Sequence, residues 1–304
     1  MILTDWDSGR AAALGRRTLI AGHSLHQRPM FEDAALEQVL DRYPRQRMGV
    51  FTMGQDPLDW SSWRRGSAGD LTGAQLLEGA KSGRIWLNLR ETNLHLPEYA
   101  DLAGEMFGEL EAATPGLKTF KHDLGLLISS PNAHVSYHLD VAPVALWHIR
   151  GRKRMWVYPR QAPFVTEEQL ERIVLRESAE QFPYQPSWDE AAEMHVLDPG
   201  MMISWPQNAP HRIVNDASLN VSLSVEYMTP EALVRANVVY ANGVLRRRLG
   251  ARPRLRGGVG PANLAKFGLA RAAKALKLQK AHESSLAPKF QLHAARPGVP
   301  APLG

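Results

Sequence analysis

Two textures alternate along this chain. From Phe120 to Tyr227 the apolar residues come in short runs, at Leu124 to Ser129, Val144 to Arg150, Lys153 to Tyr158, Met201 to Trp205 and Leu219 to Tyr227. Their length and alternation suit strands rather than helices. Gly151, Pro159 and the Asp198-Pro199-Gly200 corner punctuate them as turns. The pattern predicts an antiparallel barrel or sandwich. One helix interrupts it, opening at Thr166 with Gln169 three residues later as a capping box and running to about Glu177. The segment Gln161 to Val196 that holds this helix is expected to be an insertion between two strands, either a lid over a site or a plain cover.

On both sides the period turns helical. Residues 1 to 117 read as mainly helical, with helices over Glu32 to Tyr43 and Pro97 to Ala113 and a turn-rich stretch from Gly54 to Thr72. Arg84 to Arg90 alternates well enough to be a strand that pairs with the later sheet. Beyond Thr229-Pro230 a helix is expected to Leu249, ended by Gly250 and Pro253. A basic linker, Arg252 to Pro261, leads to a second helix over Ala262 to His282, and the Pro-rich tail from Pro288 is expected to be mobile. The organisation expected is therefore a flanking region over 1–117, a core over 118–229 and a C-terminal arm over 230–304. The fold class expected is mainly β with flanking helices, around a double-stranded β-helix (jelly-roll, cupin-like) core.

Composition narrows the chemistry. With 44% hydrophobic residues over 304 positions the chain can bury a sizeable core. There is no cysteine, which excludes disulfide frameworks, thiolate metal sites and cysteine nucleophiles. A metal, if bound, must use histidine, carboxylate or water. No apolar run reaches the roughly 18 residues of a membrane span, and no leader pattern opens the chain, so a cytoplasmic protein is expected. The net charge of +5 is uneven: residues 231 to 304 carry 14 Lys and Arg against Glu231 and Glu283, a local +12, which leaves −7 for the rest.

Against that background one constellation stands out. His138-Leu139-Asp140 places two ligand-type side chains two apart, on the same face if the segment is a strand. His211 follows a run that reads as a turn, a buried strand and a stop, Leu197 to Pro206, and can supply the third ligand from a distant strand. Two histidines and a carboxylate on one face leave octahedral positions open, as in non-haem Fe(II) oxygenases, whereas structural zinc sites are closed. Lys153 lies among apolar neighbours, with Met155 and Val157 on its own face, and needs a counter-charge. The far carboxylate of 2-oxoglutarate would supply one. On the last strand Asn220, Ser222, Ser224 and Glu226 alternate with apolar residues. This polar row either points into the barrel, where Asn220, Ser222 or Ser224 can bond the cosubstrate or a ligand carboxylate, or forms a solvated outer face.

With these residues in place the chain resembles the cupin-like JmjC group of 2-oxoglutarate oxygenases, in particular the branch of the factor-inhibiting asparaginyl hydroxylase. The resemblance spans roughly Leu124 to Tyr227. It rests on His138-x-Asp140, the Ile149-Arg150-Gly151-Arg152-Lys153-Arg154 hairpin ending in Tyr158-Pro159, the Pro199-Gly200 turn, and Pro206 five residues before His211. It implies Fe(II) ligands at His138, Asp140 and His211, a cosubstrate lysine at Lys153, and use of 2-oxoglutarate and O2 to hydroxylate a small molecule or a protein side chain, with succinate and CO2 released. The chain departs from that group at Val135 and Val144, where polar residues are common, and in having Met201 after the Pro-Gly turn. The retained carboxylate at Asp140 argues against halogenation.

The remaining candidates have plainer readings. His134 and His148 are expected to be pocket or surface residues, and His195 structural or exposed. Trp147, Trp156 and Trp205 line a pocket or fill core. Leu264, Phe267, Leu269, Ala273 and Leu276 form an apolar stripe against Lys266, Arg271, Lys274, Lys277 and Lys280, so the last helix is amphipathic and suits packing on the barrel or homodimer formation. A second functional class is a non-catalytic cupin-like binding protein whose basic arm contacts nucleic acid or a membrane by phosphate attraction, with no recognition motif to support it.

Overall fold

The computed structural model describes residues 1–56, 58–276 and 287–302. Four strands precede the expected barrel: β1 (Leu19–Gly22), β2 (Gly49–Thr52), β3 (Arg64–Gly66) and β4 (Ile85–Leu89). Eight build it: β5 (Phe120–Ser129), β6 (His134–His138), β7 (Val144–Arg150), β8 (Lys153–Val157), β9 (Glu193–Leu197), β10 (Met201–Ser204), β11 (His211–Asn215) and β12 (Asn220–Met228). The larger sheet runs β1-β10-β7-β12-β5-β4-β2-β3 and the smaller β6-β11-β8-β9, antiparallel at every pairing. Consecutive barrel strands fall in opposite sheets through β8 and again from β10 to β12, which makes a double-stranded β-helix, the jelly roll expected from the runs.

Alternation explains which face goes where. On β12, Val221, Leu223, Val225 and Tyr227 join a core with Leu124, Leu126 and Ile128 of β5 and with Ile85, Leu87 and Leu89 of β4. That core lies under the helices α2 (Asp33–Arg42), α3 (Gly73–Ser82) and α5 (Pro97–Ala113), which supply Leu36, Leu40, Leu76, Leu77, Tyr99 and Leu102. The short helices α1 (Ser8–Ala13) and α4 (Thr92–His95) complete the N-terminal part. The barrel interior is filled separately by Val144, Leu146, Met155, Val157, Leu197, Ile203, Trp205 and Ile213. The polar row Asn220-Ser222-Ser224-Glu226 therefore faces inward, and the solvated alternative is excluded for Asn220 and Ser222, both 0% exposed.

Helix signals translate directly. The α5 bounds match the expected ones, and α6 (Glu167–Val174) carries both halves of the Thr166/Gln169 capping box but stops a turn early. Helix α7 (Pro230–Leu249) ends at Gly250, whose φ of 60° is the left-handed conformation glycine tolerates.

Three expectations change. Residues 1–117 are less helical than their pattern suggests, because β1 to β3 are three or four residues long and leave too few positions for a period to show. The insertion yields its last part to β9, a barrel strand paired with β8, so it spans 161 to 192. Within the described residues the tail forms a hairpin: β13 (Phe290–His293) and β14 (Arg296–Pro302) lie against β3 and α3. Phe290 reaches the core because Gly66 offers no side chain, and a Cβ there would run into its ring.

Helix α8 (Pro261–Ala275) packs on α7 through Ala270 and Ala273, while Leu264, Leu269 and Leu276 of the expected stripe stay exposed. Its expected continuation from 277 to His282, with Lys277 and Lys280, lies outside the described residues. Part of the basic charge is neutralised internally, since Arg246 and Arg247 pair with Glu171 of α6 and Arg247 with Glu177. Among the described residues no helix is long and apolar enough to cross a membrane.

Candidate metal centre

The centre grows from a register. Strands β6 and β11 are antiparallel neighbours, and His138 stands directly opposite His211. A cross-strand pair on one face brings side chains together, and here the imidazole centroids are 4.1 Å apart. β6 ends at His138, so Asp140 belongs to the following loop and not to a strand as expected. Leu139 turns to the opposite side and is buried with Tyr137 and Phe182, which leaves Asp140 on the side of the histidines. Asp140 Oδ2 is 3.4 Å from His211 Nε2 and Oδ1 is 4.0 Å from His138 Nε2. One ligand atom from each of the three lies within 4.8 Å of the others.

The backbone sets which nitrogens face inward. His138 Nδ1 lies 2.8 Å from Ser136 O and His211 Nδ1 3.1 Å from Ala209 O. A carbonyl only accepts, so both Nδ1 atoms carry the proton and both Nε2 lone pairs face Asp140. Metal-binding histidines are commonly oriented in this way. Asn208, at a φ of 66°, donates its amide to Asp140 O at 2.9 Å and accepts from Arg235 Nε at 3.0 Å, which fixes the loop carrying the carboxylate. Trp205, from the run that precedes His211, packs its ring 4.6 Å from the His211 imidazole.

Burial, then the neighbouring His138, drives the His211 pKa well below its ordinary value, and burial pushes the Asp140 carboxyl up. A neutral imidazole with a free lone pair is the form that ligates, and a dication would restore the charge on the carboxylate. Two imidazole nitrogens and one carboxylate oxygen, with no sulfur, are the donor set of the non-haem Fe(II) facial triad. The residues fit that ion.

Below the cluster the barrel holds a buried cation. Lys153 on β8 is 3% exposed, on the same buried face as Met155 and Val157, and its Nζ donates to Ser222 Oγ at 2.9 Å. Burial lowers its pKa from 10.5 to about 7. Ser222 in turn lies 3.0 Å from Nδ1 of the fully buried His148. The other members of the polar row behave differently. Asn220 donates to Ser218 O at 2.9 Å, and Ser224 is half-buried one step along the strand.

At the mouth, Glu226 ends the row and pairs with Arg90 at 2.6 Å, yet burial, with help from Asp140, pushes its carboxyl up to about 7. Residues Glu180 to Phe182 of the insertion run alongside the end of β6, with Leu139 N bonded to Glu180 O and Phe182 N to Tyr137 O, both at 3.4 Å. The insertion therefore covers one side of the opening. Arg212, next to His211 but facing outward, stacks 3.6 Å from the Trp156 ring and binds Asp189 of the insertion, which also accepts from Tyr158 and Tyr184.

The pattern along the chain predicts pocket or surface positions for His148 and His134. Both are buried, and His148 proves to be part of the lysine site, while the backbone of His134 meets Met53. Nothing local marks His148, because β7 is apolar on both faces apart from it and the terminal Arg150. Glu180, Asn208 and Arg90 were also missed, since their roles depend on loops with no period to read. Trp147 is outer core and Trp205 lines the centre.

No protein-family model and no curated protein sequence matches the chain. Among solved structures, the barrel and its flanks define a double-stranded β-helix shared with a known protein. That protein is YcfD of E. coli: its X-ray structure aligns with 94% of this chain and 70% of its own at a TM-score of 0.51 and 18% identity. A second crystal structure, of the Escherichia coli ribosomal oxygenase YcfD, aligns with 94% of this chain and 69% of its own at a TM-score of 0.50 and 16% identity. At such identity the likeness establishes the fold.

Proposed function

We propose that this chain is an Fe(II)- and 2-oxoglutarate-dependent oxygenase that hydroxylates a protein side chain. The observation that carries this reading is the pair of inward Nε2 atoms sharing one small space with Asp140, in the same barrel as a buried lysine whose partner is a neutral hydroxyl. His138, Asp140 and His211 would hold the iron, and Lys153 would hold the far carboxylate of the cosubstrate. Iron with 2-oxoglutarate and O2 supplies the oxidising power to place a hydroxyl on an unactivated carbon, releasing succinate and CO2.

The residues of the chain do the rest. Ser136 O and Ala209 O keep both imidazoles in one tautomer, and Asn208 holds the carboxylate loop, so the donor set needs little reorganisation. Val144, Ile213 and Trp205 keep the interior apolar, which strengthens the ion pair that Lys153 makes with a bound carboxylate. The insertion along β6 and the Arg90–Glu226 pair border the space left for substrate. A protein substrate is favoured over a metabolite because YcfD, whose fold the chain shares, is a ribosomal oxygenase. The exposed Leu264, Leu269 and Leu276 suit pairing of α8 with a second copy.

Anaerobic titration of the metal-free protein with Fe(II) and then 2-oxoglutarate tests the reading. A weak visible charge-transfer band that needs both additions is expected, together with slow succinate formation in air. Absence of the band while Fe(II) binds would end the assignment.

A further inference from the structure

The lysine site contains a second layer whose hydrogen-bond directions follow from one backbone atom. Gly151, in the turn between β7 and β8, has a φ of 81°, and a Cβ there would collide with Leu219 O and the Asn220 side chain, so the turn requires glycine. That turn aims Gly151 O at His148 Nε2, 3.0 Å away. The carbonyl accepts, so Nε2 carries the proton and Nδ1 offers a lone pair. Ser222 must then donate its hydroxyl hydrogen to Nδ1 at 3.0 Å, and its oxygen is left to accept from Lys153 Nζ at 2.9 Å. Both His148 and Ser222 are 0% exposed, so bulk solvent does not reach either group. Burial also drives the His148 pKa down to about 3, so the imidazole stays neutral.

We infer that His148 and Ser222 are positioning residues that orient the Lys153 ammonium for an anionic cosubstrate, and that Ser222 makes no hydrogen bond of its own to that cosubstrate. This rests on the oxygenase reading and differs from the expectation that Asn220, Ser222 or Ser224 bonds the cosubstrate or a ligand carboxylate directly. The Ser222 hydrogen is committed to His148, so the relay runs Gly151 O, His148, Ser222, Lys153 and ends in the remaining N–H groups of the ammonium. Those groups are the donors available to a carboxylate. Removing either inner member frees the lysine to rotate and leaves a buried polar group unpaired.

Calorimetric binding of 2-oxoglutarate to the Fe(II)-loaded protein under argon tests the relay without turnover. Ser222→Ala and His148→Phe should each weaken binding by about tenfold to a hundredfold, with Fe(II) affinity unchanged. The double variant should be no weaker than the weaker single variant, because both break one chain. Ser222→Thr, which keeps the hydroxyl, should bind within about threefold of wild type. A loss confined to Ser222→Ala, or losses that add in the double variant, would mean that Ser222 contacts the cosubstrate itself and would overturn the inference. If His148→Phe does not fold, nitrogen NMR of the wild-type imidazole decides the point, since a proton found on Nδ1 instead of Nε2 contradicts the relay. Wild-type protein that binds Fe(II) but no 2-oxoglutarate would instead overturn the oxygenase reading.

Discussion

Replacing Lys153 with methionine should stabilise the metal-free protein while abolishing cosubstrate binding. The native state holds this ammonium at 3% exposure with a neutral hydroxyl as partner, and burial lowers its pKa from 10.5 to about 7. At about 1.4 kcal/mol per pH unit, the gap between those values is a penalty of about 4–5 kcal/mol on the native state. The penalty is fully present below pH 7, where both states carry the proton. Between about pH 7 and 10.5 the unfolded chain binds more protons than the native one, so stability rises with pH, and above 10.5 nothing remains of the penalty. Methionine matches the stem of lysine in length, tolerates irregular packing and carries no charge. It also leaves the Ser222 hydroxyl bonded to His148. Urea unfolding followed by tryptophan fluorescence should therefore show Lys153→Met about 3–5 kcal/mol more stable than wild type at pH 6.5, with the two converging as pH approaches 10.5. A variant no more stable than wild type at pH 6.5, or a gap indifferent to pH, would refute the claim that the barrel stores a strained cation for a ligand to neutralise.

Other outcomes follow from the same geometry. Asp140→Ala should bring 2-oxoglutarate-dependent succinate release to background, and undiminished turnover would remove the carboxylate from the centre. Asn208→Gly keeps the positive φ but deletes the amide that holds Asp140 O, so metal affinity measured by competition with a chelator dye should fall about 10- to 100-fold. Saturation with Fe(II) or Mn(II) at about 100 times its dissociation constant should add about 3 kcal/mol of stability, read as a melting shift of roughly 5 °C that is absent in His211→Ala. Arg212→Met loses the Asp189 pair, the Tyr158 bond and part of the Trp156 contact. It should cost about 2–4 kcal/mol and speed amide exchange across residues 180 to 190, and unchanged exchange there would show that the insertion is held by other contacts.

Much of the site was legible because its parts obey local rules. The capping box at Thr166, the glycine stop at Gly250 and the alternation of β12 depend on residues close in sequence, and each reappears in the structure. The spacing of His138 and Asp140 likewise announced a shared side, although the loop rather than a strand provides it. What escaped had no local signature. Strands β1 to β3 are too short to display a period, and the C-terminal hairpin is held by the space at Gly66. His148 sits in a strand that is otherwise apolar up to Arg150, where the following turn and the partner strand decide what its ring meets.

By itself the sequence determined which residue types were available, the two-residue period of the barrel strands and the caps of its helices, because these follow from backbone geometry over a few positions. Only the tertiary structure decided that His211 lies opposite His138, that the polar row of β12 faces inward, and that Lys153 reaches Ser222. Those are matters of register between strands some 70 residues apart, and register is chosen by how whole faces pack, which no short window of sequence contains.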